Sequence, residues 1–541
     1  MKRWSKVFAS SALVAGCALA LSACGSNGSN KKQSMTWMDP AELVTMDPSK
    51  YTDQYSCEEL TNTMEGLVRL GSNSKVEPGI ATSWKEAKDG KTWTFNLRKN
   101  AKWSNGAPVT AQDFVYSWRR TVNPKTGSEY AYLFSGIHNA DQVQKGKAAP
   151  SQLGVKAAGD HQLQVSLDRR IPYFKLLMGF PLFFPQNQKF VEHAGSKYGA
   201  SSKYTLANGP FVQKGWTGSN LSWKLVKNNK YWDKSKVKLD TINFSVQKTP
   251  STAYNLYQSN KLDATSLDIN ESKQLQGKSG WTVRHADDTY YLQYNMKKDK
   301  KLANKHLRLA LSQAINKSEL AKTVGIANEA ATSFTAGNTV KVKGQSFGQA
   351  VAQDSAAKEA QSYSPAKAKA NFKQAQKELG TKNIQLDLLA DDTDIAKKAS
   401  EYIQSQLETN LDGIKVNVQN VPFKTRLSRS SAGNFDVVLT GWTADFADPI
   451  SFLELMTSDN PQNYGKWTNS QFDKYIAASN TTGNAQARLN DLVKADQTLL
   501  AEQGITPLYY ANQAWLVRPS IKNVVYNGAG APYNFKETYV K

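Results

Sequence analysis

The 541-residue sequence predicts an α/β protein built from several packed units, and three observations carry that reading. Runs that alternate apolar and polar residues recur along the chain. In its second half they are separated by stretches of helical period, the order that yields a twisted sheet with crossover helices. The composition, 40% hydrophobic and 10% aromatic, supplies apolar surface for more than one core and excludes global disorder. Length suggests roughly two to four domains. Three cysteines in the whole chain exclude a disulfide-stapled scaffold.

At the amino end, Lys2, Arg3 and Lys6 precede an apolar run from Val7 to Ala20. That run is shorter than the ~20 residues needed to span a bilayer, so it reads as a secretory leader and not as a membrane helix. Leu21-Ser22-Ala23-Cys24 resembles the lipobox of bacterial lipoprotein precursors, in which the cysteine sulfur takes up the lipid. Residues 1–23 are then a signal peptide, Cys24 the lipidated first residue, and residues 24–34 a polar tether. With Cys17 in the leader and Cys24 lipidated, Cys57 stands alone and is expected as a small buried core residue.

Along the body, residues 92–98 (TWTFNLR) alternate as a half-buried strand, fed by the hairpin signal Asp89-Gly90. Thr110 or Asp113 can cap a helix that carries Phe114, Val115 and Trp118 inward. Residues 161–167 and 241–246 repeat the strand pattern. Residues 305–324 have helical period, with Asn316 as a point of division. The stretch 337–362, rich in small and polar residues, reads as an exposed excursion. Ser364-Pro365 opens a helix that Gly380 closes. The series 384–389, 394–411, 414–421 and 435–440 reads strand, helix, strand, strand.

The sequence offers little catalytic chemistry. The five histidines (138, 161, 193, 285 and 306) fall in no HExxH pattern, and there is no CxxC, no phosphate-binding P-loop and no GxSxG elbow. Carboxylate pairs occur at Asp391/Asp392 and Asp445/Asp448, but such pairs are common and predict glycosidase action poorly. No metal site and no cofactor is expected, and the chain is read as a non-enzyme. The formal charge of +22 is spread as single lysines, which gives nucleic-acid binding little support.

Residues 64–118 are more specific. MEGLVRL, EPGIATSW and DGKTWTFNLRKNAKWSNGAPVTAQDFVYSW resemble family 5 of the bacterial extracellular solute-binding proteins, on the side of the oligopeptide binders of ABC importers. NGPF (208–211), KNNKYWD (227–233), TYYLQYNM (289–296), GWTADFADP (441–449) and PLYY (507–510) continue the resemblance in order. It implies a two-lobed α/β fold of the periplasmic-binding-protein kind (type II, cluster C), with hinge strands and an extra domain. By analogy the first lobe is discontinuous, 35–66, 197–286 and 508–541, the extra domain is 67–196, and the second lobe is 287–507.

The same resemblance implies a ligand site. Asp445 matches the aspartate that holds a peptide's α-ammonium, and Gly441, Trp442 and Thr443 present backbone to the ligand as an added strand. Thr52, Asp53, Gln54 and Tyr55 line the cleft from the first lobe, and Tyr130 is an aromatic near it. Leu439 and Ala396 stand where relatives that clasp a short peptide's carboxylate carry basic residues, so tolerance of longer or variable-length peptides is expected. The function so implied is a monomeric, lipid-anchored receptor on the extracytoplasmic face of the cell membrane. It would pass oligopeptides to permease subunits served by ATPase subunits. A peptide-pheromone receptor on the same scaffold and a basic surface adhesin are the alternatives.

Overall fold

In the computed structural model, residues 33–337 and 339–541 are described; the leader and Cys24 lie outside the described residues. Ser34, placed in the tether by the sequence, already begins a strand, Ser34–Asp39. That strand pairs in parallel with Thr241–Val246, which continues antiparallel through Ser222–Lys227 to Phe211–Lys214. A separate antiparallel sheet runs in the order Ala81–Glu86, Thr92–Leu97, Gln162–Ser166, Val155–Ala157. The Asp89-Gly90 signal is realised there: Gly90 takes φ +68, and an Asp89 carboxylate oxygen accepts from the Lys91 amide at 2.8 Å.

The third sheet has seven strands and is mixed. Ile384–Asp391 lies parallel to both Ile414–Val421 and Val437–Thr443, and the helices Asp394–Asn410 and Phe423–Ser431 make the crossovers. Beyond Val437–Thr443 come two long antiparallel strands, Trp281–Tyr294 and Ile505–Val517, then Ala264–Ser266. The long strands run from the neighbourhood of Ala264–Ser266 to that of Val437–Thr443, with register breaks between His285 and Thr289 and between Tyr290 and Tyr291. Irregularities of this kind bend a strand.

Burial follows the sequence pattern. One large apolar cluster gathers Trp37, Phe95, Phe114, Trp118, Phe244 and Trp515. A second packs Leu307, Leu311, Ile315 and Leu320 with Phe372 and Ile403 around the parallel strands. Asn316 does divide 305–324: its side chain accepts from the Glu319 amide and starts the helix Lys317–Val324. Ser364 caps the helix Pro365–Leu379, and Gly380 ends it at φ 64.

The stretch 337–362 is a correction. It holds a short hairpin, Lys341–Val342 with Gln345–Ser346, and two helices, Phe347–Val351 and Ser355–Gln361, which pack on the helix Ala485–Ala501. Phe347, Val351, Ala357 and Ala360 are buried, so the segment is packed and not an exposed excursion.

Candidate ligand-binding cavity

The segments around Thr52–Tyr55 and Gly441–Asp445 enclose a chamber with about 200 Å³ open to the centres of water-sized molecules, more than ten times what a single buried water requires. All nine residues expected at a binding site border it: Thr52, Asp53, Gln54, Tyr55 and Tyr130 on one side, Gly441, Trp442, Thr443 and Asp445 on the other.

Local structure explains why each set is there. Asp53 is the cap of the helix Gln54–Thr63 and accepts from the Ser56 amide at 2.9 Å, so this helix starts at the cavity wall. Its other carboxylate oxygen has no hydrogen-bond partner, and burial pushes the group up to about 6. On the opposite wall, Val437–Thr443 is fully paired to Asp288–Tyr294 along one edge. Its other edge meets Ile384–Asp391 only at Val437 and Val438, so from Leu439 onward that edge is unpaired. An unpaired edge beside a cavity is a template for an added strand. At Gly441 any Cβ would come within 2.8 Å of the Tyr290 ring, so this close packing requires glycine.

Asp445 lies two residues beyond the end of that edge. It is 5% exposed and accepts a hydrogen bond from the Tyr130 hydroxyl at 2.9 Å, while its amide donates to Ser451 Oγ at 2.7 Å. Burial is the main cause that raises its carboxyl to about 8; the Tyr130 and Ser451 hydroxyls oppose the rise and Glu454 adds to it. None of the salt bridges among the described residues includes it. The site is therefore built to gain from a cation.

Tyr130 is 4% exposed, and its ring lies 5.6 Å from Tyr51 and 6.0 Å from Trp442. It is both a packed aromatic and the holder of Asp445. Gln54 Oε1 accepts from the Thr443 hydroxyl at 2.9 Å, which joins the two walls. Trp442 Nε1 is buried without a partner.

Comparison with known proteins agrees with this geometry. The model of the bacterial extracellular solute-binding proteins, family 5, matches residues 75–464. The chain belongs to this family. It is 37% identical over 557 residues to the dipeptide-binding protein of Lactococcus lactis subsp. cremoris, covering 99% of this chain and 100% of that one. The structure of Listeria monocytogenes OppA bound to peptide superposes with a TM-score of 0.90 at 37% identity, covering 94% of this chain and 99% of that one. Escherichia coli MppA, a murein tripeptide-binding protein, gives 0.86 at 31% identity over 94% of this chain and 99% of that one. An unliganded open form of MppA gives only 0.62 at the same identity, covering 94% of this chain and 98% of that one. Within family 5, then, the lobes here are arranged as in a peptide-bound member and not as in an open one.

Several cavity residues were not legible beforehand. Arg426 borders the chamber and bridges Asp391 at 3.0 Å. Lys248 bridges Asp392 at 2.8 Å and also pairs with Glu42. The adjacent acids Asp391 and Asp392 are thus divided between two cations, and Asp448 forms a two-pronged pair with Arg488 at 2.8 Å in both contacts. Neither sequence pair makes a carboxylate dyad. Asp288 and Tyr290 also border the cavity; the one signal for them was the TYYLQYNM run, which contains Tyr290 and begins just after Asp288. Ala396 lies on the wall, whereas Leu439 is buried in the second core and does not reach the chamber. Cys57 is a free, buried thiol. Among the described residues no cluster of His, Cys, Asp and Glu is arranged to hold a metal, and no helix is long and apolar enough to cross a membrane.

Proposed function

We propose that the protein is a lipid-anchored extracytoplasmic receptor that captures oligopeptides between its lobes and delivers them to the permease of an ABC importer. The observation that carries the reading is Asp445, a buried carboxylate without a cationic partner, set at the end of an unpaired strand edge. A peptide of any sequence offers an α-ammonium and a backbone, and these two features are the ones this wall can receive. The names of the relatives, a dipeptide-binding protein and an OppA bound to peptide, support the same ligand class.

Residues 35–66, 197–286 and 508–541 are proposed as the first lobe, 67–196 as the extra domain and 287–507 as the second lobe. Closure is hinge motion about the two long strands. The acceptor of the lipid is Cys24, ATP is hydrolysed by subunits behind the permease, and the receptor acts as a monomer. Isothermal titration with free and N-acetylated forms of the same peptides tests the ligand assignment: the free amines bind and the acetylated forms lose most of their affinity. Equal binding of both forms, or none, would overturn it. Loss of the Cys24→Ser protein from the membrane fraction tests the anchor.

A further inference from the structure

We propose that Asp288 is a second charge-reading residue of this cavity, one that selects ligands with a lysine or arginine side chain near their amino end. The inference rests on the peptide reading above and adds a specificity to it.

The argument begins from charge balance in the cavity wall. Four carboxylates border the chamber, Asp53, Asp288, Asp391 and Asp445, against two cations, Lys248 and Arg426. Both cations are already engaged, Arg426 with Asp391 and Lys248 with Asp392 and Glu42. Asp53 feels Arg426 and gives one oxygen to its helix cap. Asp445 is assigned to the α-ammonium. Asp288 is left over. It is 9% exposed, its Oδ1 is buried with no hydrogen-bond partner, and no cation acts on it. The Thr443 hydroxyl favours its charged form, while the neighbouring Asp287 opposes it. A buried carboxylate in such surroundings is costly unless something positive reaches it.

Geometry says what could reach it. Asp288 sits directly opposite Thr443, two residues before Asp445 along the neighbouring strand. A ligand strand added at the free edge of Val437–Thr443 would run about 10 Å from the Asp288 backbone, two strand spacings away. A long side chain with a terminal cation covers that span, and a short one does not. Tyr290 on the same strand and Tyr55 from the facing wall border the chamber and lie close enough to feel the charge on Asp288.

The test is a calorimetric comparison of peptide pairs that differ only by lysine or norleucine at each of the first three positions. At one position the lysine peptide is expected to bind the unaltered protein at least about tenfold tighter, the scale of a hydrogen bond to a charged group. In Asp288→Asn the lysine-to-norleucine ratio falls toward one. Diaminopropionate, with the same charge on a short stem, should lose the preference in the unaltered protein, a check that needs no variant. Equal affinities for lysine and norleucine, a ratio retained in Asp288→Asn, or a preference retained by diaminopropionate each overturn the role of Asp288. If norleucine peptides bind and lysine adds nothing, only this inference falls; if no peptide binds at all, the peptide reading falls with it.

Discussion

Asp445 makes closure of the lobes depend on pH in a way that can be worked from the structure. In the closed arrangement its carboxyl is raised from the ordinary 3.8 to about 8, mainly by burial. An open form that exposes this carboxyl to water would return it to its ordinary value. The closed form therefore holds a proton that the open form releases, so acid favours closure without ligand. That advantage is complete below about 3.8 and is lost as pH rises toward about 8. At neutral pH roughly three pH units of it are gone, at about 1.4 kcal/mol each, or about 4 kcal/mol against unassisted closure. A peptide's α-ammonium supplies the missing positive charge and removes most of that cost. The measurement is the radius of gyration by small-angle scattering of the ligand-free protein from pH 4 to 8, beside Asp445→Asn. The unaltered protein should expand as pH rises and contract when peptide is added at pH 7. Asp288 and Glu454, raised to about 7, and Asp53, raised to about 6, share the same window, so the difference between the two proteins isolates Asp445. Superimposable pH profiles would refute the reasoning.

Amidating a peptide's carboxyl end should change its affinity less than about threefold, because both cavity cations are already paired and Ala396 offers no charge; calorimetry of acid and amide forms decides, and a large loss would reveal a fixed carboxylate site. Lys248→Ala removes a tie between Glu42 and Asp392 whose lysine is 26% exposed, so peptide release in stopped flow should quicken by a few fold, the yield of a partly exposed pair. Unchanged release would show that the pair does not restrain opening. Lys317, 4% exposed and bonded to Gln361 Oε1 at 2.6 Å, is lowered to about 7 by burial. Between about 7 and 10.5 the unfolded chain holds a proton that the folded one has lost, so stability climbs with pH there. Lys317→Met should remove that climb, about 1.4 kcal/mol per pH unit, and raise the urea midpoint at pH 7; parallel pH curves for the two proteins would count against it.

What could be read from the chain beforehand was what depends on near neighbours in sequence. Ser364, Pro365 and Gly380 announce a helix because each acts within one turn. Period-two runs mark strands because side-chain direction alternates locally. The segments at 52–55 and 441–445 were proposed from the family resemblance, which short consecutive runs can carry. Asp288, Lys248 and Arg426 were not, since what each does depends on partners far away in sequence, as with Arg426 and Asp391, 35 positions apart. Neighbouring acids mislead for the same reason: Asp391 and Asp392 are adjacent yet serve different cations. In 337–362 the core positions are partly alanines, Ala357 and Ala360, whose small size blurred the helical period that Phe347 and Val351 begin.

The contacts across the chamber divide into two kinds that pull in opposite directions. Gln54 with Thr443, Tyr130 with Asp445, Lys248 with Asp392, and the ring of Tyr55 on Phe423 all hold the walls together without any guest. Asp445 and Asp288 resist, because closing strips both of water and provides neither with a cation. A guest can shift the equilibrium only by what it adds to the closed form and not to the open one. Positive charge placed at those two carboxylates is such an addition, whereas apolar side chains add area that an open lobe can partly match. Selectivity for charge at the amino end, with tolerance elsewhere, follows from where the wall leaves its acids unpaired.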